Sequence, residues 1–158
     1  MKTFKQYLEL LKACAAAIEW AGDKPVEQVV AECHRGDWLL WLANRCGVEL
    51  QPLTLAKAHC ANTVRHLMTD ERSVKAVDVA LAFGEGRATR DELDAATSAA
   101  YAAAAAYTAD AASAADAAAD YAAPDAAANQ QQTADICRKY IGDLIIGKVN
   151  QHLNQPNQ

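Results

Sequence analysis

The chain has 158 residues, which is enough for one domain with a substantial hydrophobic core. Its formal net charge of −5 and pI near 5.3 argue against a nucleic-acid-binding protein, because such proteins normally present a basic face. Five cysteines, an odd number without paired spacing, are typical of reduced and buried thiols, so we expect a cytoplasmic protein. The amino-terminal segment is amphipathic and aspartates interrupt the alanine-rich segment, so neither a signal peptide nor a membrane span is expected.

The first three predicted elements are helices. An apolar stripe at helical spacing predicts a helix over residues 4–20, ended by Gly22. A short second helix follows at residues 25–33. Asp37 is the expected N-cap of a third helix, which ends at Gly47.

Two further helices precede the alanine-rich segment. After a linker at residues 51–52, Thr54 is expected to cap a fourth helix that extends over residues 54–68. Asp70 is the predicted cap of a fifth helix, residues 74–83, which two following glycines stop.

The alanine-rich segment, residues 95–128, contains 22 alanines in 34 positions. Alanine has the highest helix propensity, since ordering it costs no side-chain entropy, so this segment predicts one long helix or two helices in line. Thr89 and Glu92 form a capping-box pattern at its head. Pro124 is expected to break the helix, and Asp125 to start the last one.

No alternating strand pattern is present, so the predicted fold is all-α. We expect one compact helical bundle over residues 1–150, closed by a long alanine-rich αα-hairpin, with a frayed polar tail at residues 151–158. Gly142 and Gly147 are the expected points at which the last helix approaches another backbone.

Two features are candidates for a binding surface. Four aspartates fall within one sector of about 100° on the alanine-rich helix, and this acidic edge would attract a basic partner. The second candidate is the group of three tryptophans, Trp20, Trp38 and Trp41, and above all Trp38, because tryptophan is enriched in binding hot spots. Core packing is the favoured alternative for Trp38 and for Trp41, which is expected to be the more buried of the two. The residues of the acidic edge are Asp91, Asp94, Asp116 and Asp120.

No motif of a metal site or of an active site stands out. The cysteines and histidines lack the close pairs that structural zinc sites use. There is also no glycine-rich phosphate loop and no HExxH motif. We therefore expect no metal, no cofactor and no enzymatic activity. The side chains weighed as metal ligands are Cys33, His34, Cys46, His59, Cys60 and His66.

Residues 70–86, DERSVKAVDVALAFGEG, resemble the hallmark of an alanine-rich immunity protein family of bacteria and phages, the Imm-5-like group. In that pattern an acidic-x-Arg-Ser start leads into a helix, a glycine stop and a long alanine-rich helix. The upstream CHRGDWLLWL also resembles the aromatic segment of some members. The resemblance implies an all-α fold and a role in binding and neutralising a toxin. Asp70 and Arg72 match the pattern, and we expect both to be structural, as a cap and as an ion-pairing partner.

Three functions remain open from the sequence. The leading hypothesis is a non-enzymatic binding protein that inhibits a basic toxin or effector by surface occlusion. An alternative is a phage accessory or anti-defence protein that sequesters a host factor or a nucleotide. A third is a structural module that self-associates through the alanine-rich face. The cations available to a nucleotide are Arg35, Lys57, Arg65, Arg72 and Lys75.

Overall fold

The computed structural model describes residues 2–100, residue 102 and residues 123–155. Every regular element among these residues is helical, which confirms the all-α prediction. None of the helices in this part of the chain has the length and apolarity needed to cross a lipid bilayer. The helices are α1 (Phe4–Leu10), α2 (Ala15–Ala21), α3 (Val26–Glu32), α4 (Gly36–Arg45), α5 (Leu50–Asn62), α6 (Glu71–Gly84), α7 (residues 90–100) and α8 (Ala123–Asn154), with a 3₁₀ turn at Arg65–Leu67.

The prediction of one first helix over residues 4–20 is wrong, because a Schellman motif separates α1 from α2. The Ala13 N–H donates to the Leu8 carbonyl and the Lys12 N–H donates to the Glu9 carbonyl, both at 3.0 Å. Lys12 has a φ of 59°, the left-handed conformation that this motif requires. Glycine is the usual residue there, so the sequence carries no obvious stop signal. The break lets α1 and α2 each place an apolar face on the core.

Asp37 is not the N-cap of α4. The helix begins at Gly36, two residues earlier than predicted, with Arg35 at the N-cap position, and Asp37 lies within the first turn. Its carboxylate accepts hydrogen bonds from the Arg35 guanidinium instead of from the helix backbone. A negative charge in the first turn still interacts favourably with the helix dipole.

The predicted linker at residues 51–52 and the cap at Thr54 are also wrong. Helix α5 starts at Leu50, and Thr54 is a buried residue inside it. Pro52 fits because it is in the first turn, where backbone N–H groups have no partner within the helix. The helix ends at Asn62, before the 3₁₀ turn, rather than near residue 68.

The two predicted caps on either side of α6 are confirmed. The Asp70 carboxylate accepts from the Arg72 backbone N–H at 2.8 Å and also pairs with the Arg72 guanidinium. At the head of α7, the Thr89 N–H donates to Glu92 Oε2 at 2.7 Å, and the Glu92 N–H donates to Thr89 Oγ1 at 3.2 Å. These reciprocal bonds form a capping box.

Helix α8 continues past its predicted end. It is described from Ala123 to Asn154, so it includes part of the predicted frayed tail. Pro124 lies within the described helix, so the last helix does not begin at Asp125 as predicted. The connection between α7 and α8, and with it the long alanine-rich helix and the turn of the hairpin, falls outside the described residues.

The core is built around α8. One face of this helix is fully buried at spacings of three and four residues, and it contacts α3, α4 and α5. Helix α6 packs on the other side of α5. Arg138 of α8 also binds the end of α3, because its Nη1 donates to the carbonyls of Val30 at 3.2 Å and Cys33 at 2.6 Å. The buried face of α8 consists of Ala134, Cys137, Ile141, Ile145 and Val149.

The close backbone approaches do not occur at the predicted glycines. A Cβ placed on Gly147 would meet nothing within 4 Å, and one on Gly142 would make an ordinary contact of 3.4 Å with Val30. A Cβ on Gly36, by contrast, would lie 2.6 Å from the Cβ of Thr133 on α8. A Cβ on Gly84 would lie 2.8 Å from the Cα of Leu55 on α5. The small residues that permit close packing are therefore on α4 and α6.

Candidate functional site

An aromatic cluster lies where α2, the α3–α4 loop and α4 meet. Trp20 is in the last turn of α2 and Trp38 is in the first turn of α4. Their ring centroids are 6.1 Å apart, with the planes inclined at 57°. His34, in the loop, lies 5.8 Å from the Trp20 ring and 6.3 Å from the Trp38 ring. Inclined aromatic pairs at these distances attract one another, so the three rings hold one another in position.

Each of the three tryptophans has a basic side chain over its ring. Such cation–π contacts are worth about 0.5–1 kcal/mol at exposed sites. They also keep one face of each ring covered by the protein's own charge. The pairs, measured from the cation to the ring centroid, are Lys24 with Trp20 at 4.0 Å, Arg35 with Trp38 at 4.8 Å, and Arg45 with Trp41 at 5.6 Å.

The charges beside the cluster are paired. Arg35 donates from Nε to Asp37 Oδ1 at 2.8 Å and from Nη2 to Asp37 Oδ2 at 2.7 Å. These hydrogen bonds lower the pKa of Asp37 and raise the pKa of Arg35, so both groups stay charged near neutral pH. Lys24 makes an ion pair of 3.4 Å with Glu32. The rim therefore has fixed charges of both signs.

An apolar cavity of about 420 Å³ opens beside these rings. A volume of this size is in the range of small-molecule and side-chain binding pockets. The three tryptophans line it together with aliphatic side chains from α1 to α4, and the Arg35–Asp37 pair lies at its edge. The cavity can accept an apolar or aromatic group and orient it through a few polar contacts. Its aliphatic and phenyl lining includes Phe4, Leu8, Ala17, Val29, Leu39 and Leu42.

Trp38 and Trp41 are both half-buried and pack against the core. One side of each ring packs against the core, as the core-packing prediction states. The other side of the Trp38 ring lines the cavity, which is where a bound partner would contact it. Trp20 and Trp38 are both binding candidates by residue type, but no pattern in the sequence predicts that Trp20, His34 and Arg35 join Trp38 in one site. His34 and Arg35 are close to Trp38 in the chain. Trp20 is on another helix, and no rule of sequence spacing predicts its contact with Trp38.

The predicted acidic edge is only partly described. Asp91 and Asp94 are exposed on α7, and Asp94 accepts from Arg90 Nε at 2.8 Å, which offsets part of its charge. Asp116 and Asp120 lie outside the described residues. The structure therefore places two of the four aspartates on an exposed helix.

A second cavity, of about 680 Å³, lies between α6 and α7. Five of its eleven lining residues are alanine, and three are basic: Arg72, Lys75 and Arg87. Asp78 and Glu92 line it as well. Arg72 and Arg87 form ion pairs with neighbouring acidic residues. The cavity is therefore lined by charges of both signs, and two of its three basic side chains are already in ion pairs.

The side chains weighed as metal ligands are dispersed. Within residues 2–100, 102 and 123–155, no three His, Cys, Asp or Glu side chains are grouped closely enough to hold a metal ion. His59 stacks on Tyr140 with ring centroids 4.4 Å apart, and Cys33 and Cys46 are buried among apolar residues. Burial raises the pKa of both thiols, so they remain protonated.

The described part of the chain thus presents two candidate sites, one apolar and one charged, on opposite layers of helices. Comparisons of the chain with protein-family models, with curated proteins and with solved structures find no match.

Proposed function

We propose that this protein is a non-enzymatic binding protein that inhibits a protein partner by occluding its surface, as the resemblance to the Imm-5-like immunity proteins implies. The observation that carries the proposal is the tryptophan-lined cavity beside Trp38. Tryptophan and arginine are the residues most enriched in binding hot spots, and both occur here with their geometry set by neighbouring rings and ion pairs. The occupant would be an apolar or aromatic side chain of the partner.

In this proposal, one part of the molecule would provide the binding energy and another would attract the partner electrostatically. The cavity would supply most of the binding energy, because an inserted side chain loses contact with water while the paired rim charges stay satisfied. The net charge of −5, together with the exposed Asp91 and Asp94, would speed the encounter with a basic partner. In this proposal, the protein binds its partner in the cytoplasm.

The test uses immobilised protein to capture partners from the lysate of the native host, followed by purification of each captured protein and measurement of its Kd by calorimetry. We expect Trp38→Ala to weaken binding at least about 30-fold, which corresponds to about 2 kcal/mol. Leu67→Ala is the matched control, because Leu67 is 69% exposed and does not line the cavity. It should bind within about twofold of the wild type.

Two results would overturn this proposal. One is a Trp38→Ala variant that remains folded and binds the purified partner like the wild type. The other is that the immobilised wild-type protein captures no partner beyond those that immobilised Trp38→Ala also captures. The steering part has its own test: the association rate should fall as salt is raised, and a rate independent of salt would contradict it.

A second candidate function rests on the cavity between α6 and α7. Its three basic residues support the binding of a small anion such as a nucleotide, with Lys75 exposed at the wall. A nucleotide panel should then raise the Tm of the wild type and not that of Lys75→Ala. No shift with any nucleotide would remove this candidate.

A further inference from the structure

Two cysteines from different helices face each other inside the bundle. Cys60 of α5 and Cys137 of α8 are 77 positions apart in the chain, yet their Sγ atoms are 3.9 Å apart. The Cys60 Sγ also lies 3.7 Å from the Thr133 carbonyl, and the Cys137 Sγ lies 3.6 Å from the Gly36 carbonyl. Both sulfur atoms are therefore held at the contact between α5, α8 and the start of α4.

The two thiols differ in their access to solvent. Cys137 is fully buried, whereas Cys60 is half-buried. The contact between the two thiols lowers the pKa of Cys60, while the same contact and burial raise the pKa of Cys137. Cys60 is thus the thiol that a small oxidant can reach and that forms a thiolate more readily.

We propose that Cys60 and Cys137 form a peroxide-reactive pair that closes to a reversible disulfide between α5 and α8. In the first step the Cys60 thiolate attacks one oxygen of hydrogen peroxide, the O–O bond breaks, and Cys60 becomes a sulfenic acid while hydroxide leaves. In the second step the Cys137 sulfur attacks the sulfenic sulfur. The S–O bond breaks, the Cys137 proton is transferred to the leaving oxygen, and water is released.

The step in which the sulfur atoms meet requires a small movement. The sulfur atoms must approach from 3.9 Å to about 2.05 Å. Cys60 is two residues before the end of α5, where the last turn is the least restrained part of the helix, so its side chain can rotate toward Cys137. The disulfide would add a covalent link between two helices that are otherwise held by packing and by polar contacts, such as the hydrogen bond from Asn129 Nδ2 to Thr63 Oγ1 at 2.9 Å. Reversible intracellular disulfides are typically catalytic or redox-sensing, and this pair would be of the sensing kind.

The experiment treats the full-length native protein with hydrogen peroxide, blocks the remaining thiols with N-ethylmaleimide, and maps tryptic peptides without reduction. The expected product is peptide 58–65 linked to peptide 91–138, lighter by two hydrogen atoms than the sum of the two. Dithiothreitol should separate them. Cys14→Ser, which removes an exposed cysteine outside the pair, should give the same linked peptide, and Cys60→Ser should give none.

Each other outcome overturns the proposal. Oxidation of Cys14 alone, with Cys60 and Cys137 recovered as free thiols, would show that the pair is not reactive. Oxidation of Cys60 to a sulfinic acid without a linked peptide would show that Cys137 does not resolve it. A linked peptide that forms only in denaturant would show that the native geometry is not responsible.

Discussion

The molecule has two layers of helices, and the packing within one layer differs from the packing within the other. The α8 layer, which we define as α8 with α3, α4 and α5, buries long aliphatic side chains, and five residues of α8 have no exposed surface. In the α6–α7 layer, α6 buries only Val77 among its side chains, and the described part of α7 buries Leu93 and Ala96, each 9% exposed. Each fully buried aliphatic side chain stabilises the fold by about 1.5–3 kcal/mol, whereas alanine contributes much less.

The difference shows two ways of holding helices in this bundle. Helix α6 approaches α5 closely where Gly84 meets Leu55, and the starts of α6 and α7 are capped at Asp70 and Thr89. The α8 layer relies on buried area. The apolar cavity lies beside the well-packed layer, and the charged cavity lies within the small-residue layer.

The largest expected effect is from truncating the core of the α8 layer. Ile141→Ala should lower the free energy of unfolding by about 4 kcal/mol, because it removes a fully buried side chain and leaves a cavity. Val77→Ala, the corresponding change in the α6–α7 layer, should cost about 1 kcal/mol, because it removes less volume from a looser region. Urea unfolding of the two variants measures the difference, and equal losses would refute the contrast between the layers.

The next largest loss of stability is expected from substituting the glycines at which two helices approach each other closely. Gly36→Ala should cost about 3 kcal/mol, since its Cβ would overlap Thr133 on a helix that cannot shift without disturbing the core. Gly84→Ala should cost about 1–2 kcal/mol, because α6 has fewer buried side chains to resist a shift. Gly147→Ala is the control and should stabilise by about 0.5–1 kcal/mol, as nothing lies near its Cβ. Thermal unfolding ranks the three, and a tolerated Gly36→Ala would be inconsistent with this packing.

The smallest expected effect is an alkaline transition in the contact of α1 with α8. Tyr7 is buried and its ring stacks on His152 at 5.5 Å, and burial raises the pKa of Tyr7 to about 12. Because the folded pKa is above the unfolded value of about 10, the stabilisation is complete below pH 10 and is lost as the pH rises from about 10 to 12. The loss should reach roughly 2 kcal/mol.

Tyr7→Phe keeps the packing and removes the titrating group, so its stability should decline less steeply over the same pH range. Tyr140→Phe is the matched control and should follow the wild type. The measurement is urea unfolding at a series of pH values. Identical slopes for Tyr7→Phe and the wild type would contradict the role of burial at Tyr7.

Local hydrogen bonds explain which parts of the fold could be predicted. The Asp70 cap, the Thr89–Glu92 capping box and the glycine stops depend on partners two to five residues away. The same reasoning failed at Asp37, because the Arg35 guanidinium competes for its carboxylate. It also failed at Lys12, because a lysine adopts the left-handed conformation that favours glycine.

The candidate sites were less predictable than the helices. Trp38 was recognisable as a binding candidate from residue type alone, but the cavity needs Trp20 from another helix. The Cys60–Cys137 contact joins residues 77 positions apart, and the cysteine spacing contained no sign of it. Such pairings depend on how helices cross, which local sequence does not encode.

By itself, the sequence determined an all-helical protein with a net negative charge, several of its helix ends, and the absence of alternating strand patterns. Helix propensity, caps and hydrophobic periodicity act within a few residues, so they can be recognised in one chain. Tertiary structure alone decided that Gly36 and Gly84 are the close approaches, and which rings and thiols meet. These outcomes depend on the shape and volume of surfaces contributed by distant segments, and only the folded packing brings those surfaces together.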